Sequence, residues 1–399
     1  MRATWWREAS GAVADLGVLL PIALALIVVN GLSVTAVIVP AGLAYVMVAV
    51  VYRVPVAVQP LKAFGAIAIA TGAGPDVIAA GALLMGLVFF TLGAFGALAR
   101  VAAVIPLAVI RGVQGSVGIT LCVIAWRLLA DPPSTFVSPL AFAPAVAIAA
   151  AILAVLVFAR RWTALAVVVV AVGVAIVVSG PLGSVAELGP TALHFPHLDW
   201  ASVSLAATAL VLPQVPVTLT NSCVAPADAA RRYFGREGMR VSPDRLAVTL
   251  GAANLGIGAV SGMPICHGAG GMSAHHFFGA RSWRAPALIG GALIVSGLLL
   301  ARPLAEILPA FPLPALAALL AAAGIAHLRL LADLRGRRAW GIAALVTAAG
   351  LAGYLVLGVV LGALLEWWMS RRAAGRCAAP SEGARDSLED PVRVGEGAW

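Results

Sequence analysis

Residues 54–65 read VPVAVQPLKAFG and lie between two long apolar runs. The stretch carries Gln59, Pro60 and Lys62, and Lys62 is the sole lysine of the chain, the other strongly basic side chains being arginine. An ammonium at membrane depth is costly, so by default it faces a bundle interior or a water-filled site. The competing reading is a lysine that snorkels from a helix end to the interface. Pro55 and Pro60 argue against a continuous helix here. Broken backbone at that depth is tolerated only where protein buries it or where it lines a cavity. The double break favours a site, and the stretch predicts a polytopic helical bundle with an interrupted, site-forming segment.

Working outward, 62% of the 399 residues are hydrophobic and 11% charged, and the mean hydropathy is +1.02. A soluble domain carries about 25% charged residues. Runs such as 12–30, 143–159 and 165–178 are almost free of charge, and a spanning helix needs ~20 such residues. The 42 glycines suit close helix packing in lipid. The formal charge of +9 would suit a nucleic-acid binder, yet the arginines sit in short loops between apolar runs, as membrane topology requires. No nucleic-acid motif is present. Cys122, Cys223, Cys266 and Cys377 form no CxxC pair and read as small buried hydrophobes. The first residues, with Arg2 and Arg7, read as a cytoplasmic flank rather than a cleavable signal.

About fourteen membrane segments follow from these runs. The first seven are expected near 11–29, 34–52, 54–71, 77–98, 103–129, 141–159 and 163–178, the fifth interrupted by Pro106 and Arg111. After a polar loop over 179–200 comes the eighth, 202–223, broken at Pro213 and Pro216. An arginine-rich, surface-lying helix is expected over 225–240. The ninth lies near 246–260, and the tenth is again broken, SGMPICHGAGGMSAHHFFGAR over 261–281. The eleventh to fourteenth lie near 285–300, 308–326, 340–349 and 353–368, before a polar tail from Arg371 that reads as disordered. With the N-terminus inside, the inner loops hold Arg53, Arg100, Arg160, Arg161, Arg231, Arg232, Arg236, Arg281, Arg284, Arg335, Arg337, Arg338, Arg371 and Arg372. The outer loops hold only Arg127 and Arg302. This asymmetry places both termini in the cytoplasm.

The interruptions recur seven segments apart. A first segment broken at Pro21 and a broken third are matched by a proline-broken eighth and a broken tenth. An odd number of segments per repeat makes the halves inverted, and matching interruptions point to a midplane binding site. Helices that begin inside the membrane leave orphan N–H groups there, each N-terminus carrying about half a positive charge. The third segment is expected to start its helix near Pro60–Leu61, proline suiting the first helical position. The tenth is expected to start near Gly268–Gly271, where missing side chains let an oxyanion approach. Lys62 adds a full charge, Gln59, Thr218, Thr220, Asn221 and His267 offer neutral donors, and neither broken stretch holds Asp or Glu. That balance favours a small anion.

At this point VQPLKAFGAIA, LPQVPVTLTNS and GMPICHGAGGMSAHHFFGAR, with GAVADLGVLLPIALALIVVNG, closely resemble the signature segments of the molybdate transporter family related to the SulP sulfate permeases. The likeness covers residues 11–284 and weakens beyond; Ala14 and Leu61 depart from the family's usual Gly and Met. The resemblance implies an all-α seven-plus-seven inverted repeat shared with uracil permeases, with a core domain moving against a gate domain. Core halves would span 1–100 and 201–303, gate halves 101–200 and 304–369, with a cytoplasmic tail over 370–399. It implies a multi-pass inner-membrane transporter importing molybdate, or sulfate as the alternative, with no enzyme activity, no cofactor and a homodimer through the gate domains. The substrate-binding candidates are Gln59, Pro60, Leu61, Lys62, Gln214, Thr218, Asn221, Cys266, His267, Gly268, Ala269, Gly270 and Gly271. Gln59 and Gln214 could equally satisfy freed backbone groups, and Thr218 and Asn221 could serve helix packing. Asp15 is the candidate for proton coupling, against a structural role beside Lys62; no motif identifies the coupling ion. An intramembrane metal centre on Cys266, His267, His275 and His276 is the minority alternative, lacking HExxH and a partnering carboxylate. A nucleobase permease would need carboxylates in the eighth and tenth segments, which are absent here.

Overall fold

Strands β1 (Gln59–Pro60) and β2 (Ile265–Cys266), two residues each and fully buried, pair antiparallel with Gln59 opposite Cys266 and Pro60 opposite Ile265. Everything else in this computed structural model is helix or connection, over residues 5–98, 100, 106–132, 134, 136, 140–158, 163–178 and 188–377. The first half comprises α1 (Trp5–Val28), α2 (Val34–Tyr52), α3 (Lys62–Thr71), α4 (Pro75–Ala94), α5 (Leu107–Ala130), α6 (Phe142–Phe158) and α7 (Thr163–Val178). The second comprises α8 (Trp200–Phe234), α9 (Pro243–Ala259), α10 (Ala269–Phe277), α11 (Arg284–Leu299), a short α12 (Ala301–Ile307), α13 (Leu313–Arg329), α14 (Gly336–Leu351) and α15 (Leu355–Cys377).

The packing obeys the inverted repeat. The most extensive contacts are α4 with α9 and α2 with α11, which exchange under a shift of seven segments. α5 packs against α13, its own counterpart, and against α14. Small residues permit this closeness. A Cβ on Gly290 would lie 2.7 Å from the Gly42 carbonyl, and one on Gly42 would lie 2.8 Å from the Gly290 carbonyl, so α2 and α11 touch backbone to backbone. The outer surface is apolar, with Val50 70% and Val177 80% exposed, as lipid contact demands. Five helices are individually long and apolar enough to cross a membrane, or six with the bent pair Arg284–Leu299 and Ala301–Ala310, among the described residues.

Several expected breaks are absent. α1 runs through Pro21, and α5 starts after Pro106 and continues through Arg111. The eighth segment is one helix of 35 residues, so the surface helix expected over 225–240 is its continuation to Phe234, followed by a 3₁₀ turn at Glu237–Arg240. Pro213 and Pro216 are absorbed because π-helical turns at Ala206–Val211 and Leu219–Val224 flank them. Widening the ladder there accommodates prolines that lack a donor and would otherwise clash. The expected tail is helical as far as Cys377. Arg2, Arg160, Arg161, part of the polar loop (179–187) and the chain beyond Cys377 lie outside the described residues.

Candidate functional site

Each short strand runs directly into a half-helix. Leu61 caps α3 and Gly268 caps α10, both with extended backbone and no side-chain cap. Because the strands are antiparallel, α3 and α10 leave the pair in opposite directions with their N-termini towards it. Leu61 N–H donates to the Pro264 carbonyl at 3.0 Å, and Cys266 Sγ lies 3.4 Å from the Pro60 carbonyl. The expected helix starts, near Pro60–Leu61 and Gly268–Gly271, are where the helices begin.

Lys62 is the first residue of α3 and only 9% exposed. Its Nζ donates to Gln59 Oε1 at 2.8 Å, which uses one of three ammonium protons. The other face of the Gln59 amide donates to Asp15 Oδ1, which fixes the amide's orientation. Asp15 therefore meets Lys62 only through Gln59. Asp15 Oδ2 accepts from the Tyr45 hydroxyl. His275 donates from Nδ1 to the Gly11 carbonyl at 2.8 Å, since a carbonyl can only accept. Its Nε2 then faces Asp15 Oδ2 at 3.4 Å, within electrostatic reach but without a formed hydrogen bond.

The glycines of α10 make room for these groups. A methyl on Gly268 would collide with Gln59 Oε1 and sit 3.2 Å from Lys62 Nζ. One on Gly271 would collide with Asp15 and Gln59 and lie 2.5 Å from Ala57 Cβ. Gly270 is exposed, and a methyl there would meet nothing within 4 Å. Ala269 beside it is half-buried.

Other expected ligands are occupied by the protein. Gln214 on α8 accepts the Phe64 N–H at 2.8 Å and donates to Thr218 at 2.9 Å; it caps α3 and removes one of that helix's orphan donors. His267 donates from Nδ1 to the Ala57 carbonyl at 3.2 Å and accepts at Nε2 from Thr249 at 3.0 Å, leaving no free N–H. Asn221 bonds Gln114 of α5, itself one turn from the Arg111–Asp333 ion pair. Two important side chains were missed by sequence reasoning. Buried Asn254 on α9 donates to the Ile265 carbonyl and accepts its N–H, both at 2.8 Å, and so carries β2. Tyr45 on α2 holds Asp15. A lone Asn inside the apolar stretch GAANLGIG was the available signal, because a buried amide demands partners.

A cavity of about 240 Å³ abuts the start of α3, lined by Ala63 there, by Thr208 and Pro213 on α8, and by Ser116 and Thr120 on α5. A wider recess of about 780 Å³ shares Thr120 and contains Arg127 and Asp131. Among the described residues no His, Cys, Asp or Glu cluster could hold a metal. The arrangement suits a small anion: two facing helix N-termini, one ammonium, and a carboxylate held one amide away.

A family model described as "Molybdate transporter of MFS superfamily" matches residues 7–121 and 206–326. The chain is 29% identical to Molybdate transporter 1 of Arabidopsis thaliana, covering 94% of this chain and 90% of that protein. It is likewise 29% identical to Molybdate transporter 1 of Chlamydomonas reinhardtii, covering 94% and 95%. Among solved structures, it resembles the transmembrane domain of the cyanobacterial bicarbonate transporter BicA, with a TM-score of 0.62 at 16% identity, covering 89% of this chain and 96% of that one. It also resembles murine Slc26a9, an anion transporter, with a TM-score of 0.66 at 15% identity, covering 94% and 69%. At such identity the structural likeness concerns the fold alone.

Proposed function

The chain belongs to the molybdate transporter family, and we propose on that premise that it imports molybdate as a secondary active transporter working by alternating access. The observation that carries this reading is the β1–β2 pair, which sets two half-helix N-termini head to head beside Lys62. A tetrahedral dianion would accept from the Lys62 ammonium, from the first free N–H groups of α3, and from those of Ala269 and Gly270. Gln59, Pro60, Leu61, Cys266, Gly268 and Gly271 shape that cradle; Gln214, Thr218 and His267 hold its walls; Asn221 ties it to α5. The likeness to molybdate transporters over nearly the whole chain supports molybdate as the substrate.

The core halves, 1–100 and 201–303, would move against the gate halves, 101–200 and 304–369; the separate packing of α2, α4, α9 and α11 from α5, α13 and α14 supports that division. The arginine distribution supports cytoplasmic termini in a cell membrane, the inner one where there are two. A dianion entering a negative interior needs compensating charge. The Asp15–His275 pair, two hydrogen bonds from Lys62, is the place where a proton would travel with it.

The test is accumulation of molybdate by cells or proteoliposomes holding the full chain, with and without excess sulfate. Molybdate uptake that resists sulfate is expected. Uptake of sulfate in place of molybdate would move the substrate to the sulfate reading, and uptake of neither would end the transport reading.

A further inference from the structure

We infer that Ser116 and Thr120 of α5 form the gate-side half of the oxyanion site, donating their hydroxyl protons to the anion whose other side rests on the start of α3. The inference deepens the transporter reading and rests on it. Ser116 and Thr120 are one turn apart, so both point from the same face of α5. Ser116 is 4% exposed and both residues line the cavity of about 240 Å³ next to Ala63.

Of the three hydroxyls that line this cavity, theirs are the unspent ones. Helical Ser and Thr commonly bond the carbonyl one turn back, and Thr71, Thr91, Thr208 and Thr220 all do so. Among the described residues, neither Ser116 nor Thr120 makes such a bond. Hydroxyls that line a cavity with their protons unspent can give them to a ligand. Thr208, on the opposite wall, has already given its proton to Ser204 and offers no donor.

The surroundings are shaped for this. A methyl on Gly350 would collide with Ser116 Oγ, so the glycine keeps that hydroxyl's corner open. Ala63, the second residue of α3, has an N–H that no turn of its own helix can satisfy. By the same measure of volume a single water needs only ~10–15 Å³, so the space admits a tetrahedral oxyanion with its waters. The lining holds no charged side chain. Neutral donors from α5 would therefore read the anion's oxygen positions while the start of α3 supplies the attraction. An anion held by α3 and α5 together would also bridge the two bodies that alternating access moves apart.

The experiment uses full-length reconstituted protein and measures molybdate affinity directly, together with KM and Vmax of uptake. Ser116→Ala with Thr120→Val should weaken affinity about 10- to 100-fold, as loss of hydrogen bonds to a charged ligand does. Thr91→Val, at a threonine that bonds its own helix outside this cavity, should stay within about two-fold. Unchanged affinity in the double variant would overturn the inference. Should that variant fail to fold, Thr120→Cys labelled by an anionic thiol reagent decides, with the native cysteines replaced. Protection by molybdate is expected, and labelling indifferent to it is the contrary result. If wild type binds sulfate but not molybdate, the substrate assignment falls and the same variants test the site with sulfate. If it binds no tetrahedral oxyanion, both fall.

Discussion

Replacing Asn254 tests whether the paired strands are the structural heart of the site. Its side chain is fully buried and serves both backbone groups of Ile265, with two bonds of 2.8 Å. Asn254→Leu keeps the volume and removes both partners. The Ile265 N–H and C=O then stay buried and unpaired, at about 1–3 kcal/mol each. The sum, roughly 2–6 kcal/mol, is large beside the ~5–15 kcal/mol that usually separates folded from unfolded protein. Asn254→Asp loses the donor to the C=O and buries a carboxylate beside that oxygen, so it should destabilise at least as much as the Leu variant. Because Ile265 stands opposite Pro60, the loosened strand also frees the start of α10. The assay is thermal unfolding of purified protein in detergent with molybdate uptake alongside. Both variants are expected to melt below wild type, with uptake falling in step. A Leu variant as stable and active as wild type would refute the reasoning.

Gly268→Ala should lower both stability and uptake, because its methyl displaces Gln59 and crowds Lys62, an overpacking cost of about 1–3 kcal/mol; Gly270→Ala, which meets no protein atom, should melt like wild type. Gln214→Leu strands the buried Phe64 N–H and should cost about 1–3 kcal/mol in the same unfolding assay. Asp15→Asn removes the carboxylate that faces His275. Wild-type uptake is expected to quicken as external pH falls and the variant's to be flat, and a variant that kept the wild-type pH profile would exclude this pair from coupling.

The path from residues to fold was short where the chain declares its own breaks. Pro60 followed by Lys62, and a run of glycines after His267, announce helix starts in the middle of a membrane, and α3 and α10 begin there. The prolines of the eighth segment misled because a break and a π-turn look alike in sequence. Only the flanking ladder decides, and α8 absorbs Pro213 and Pro216. The site was legible in its polarity and not in its wiring. Composition marks Lys62, Gln59 and Asp15 as unusual, but no local rule says that Gln59 stands between the two charges. Nor does one say that Gln214, 150 residues away, caps α3. Ser116 and Thr120 are ordinary helical residues until their unspent hydroxyls are noticed. Such facts arise from tertiary contact, where side chains compete for buried backbone groups.

The claim at the centre is that an oxyanion rests between two half-helix N-termini with Lys62 beside it. Equilibrium binding of molybdate to purified full-length protein, wild type against Lys62→Ala, tests this most directly. Saturable binding in the wild type, weakened at least about tenfold in the variant, is the expected result for a lost charged hydrogen bond. Equal affinity in the two proteins would contradict it.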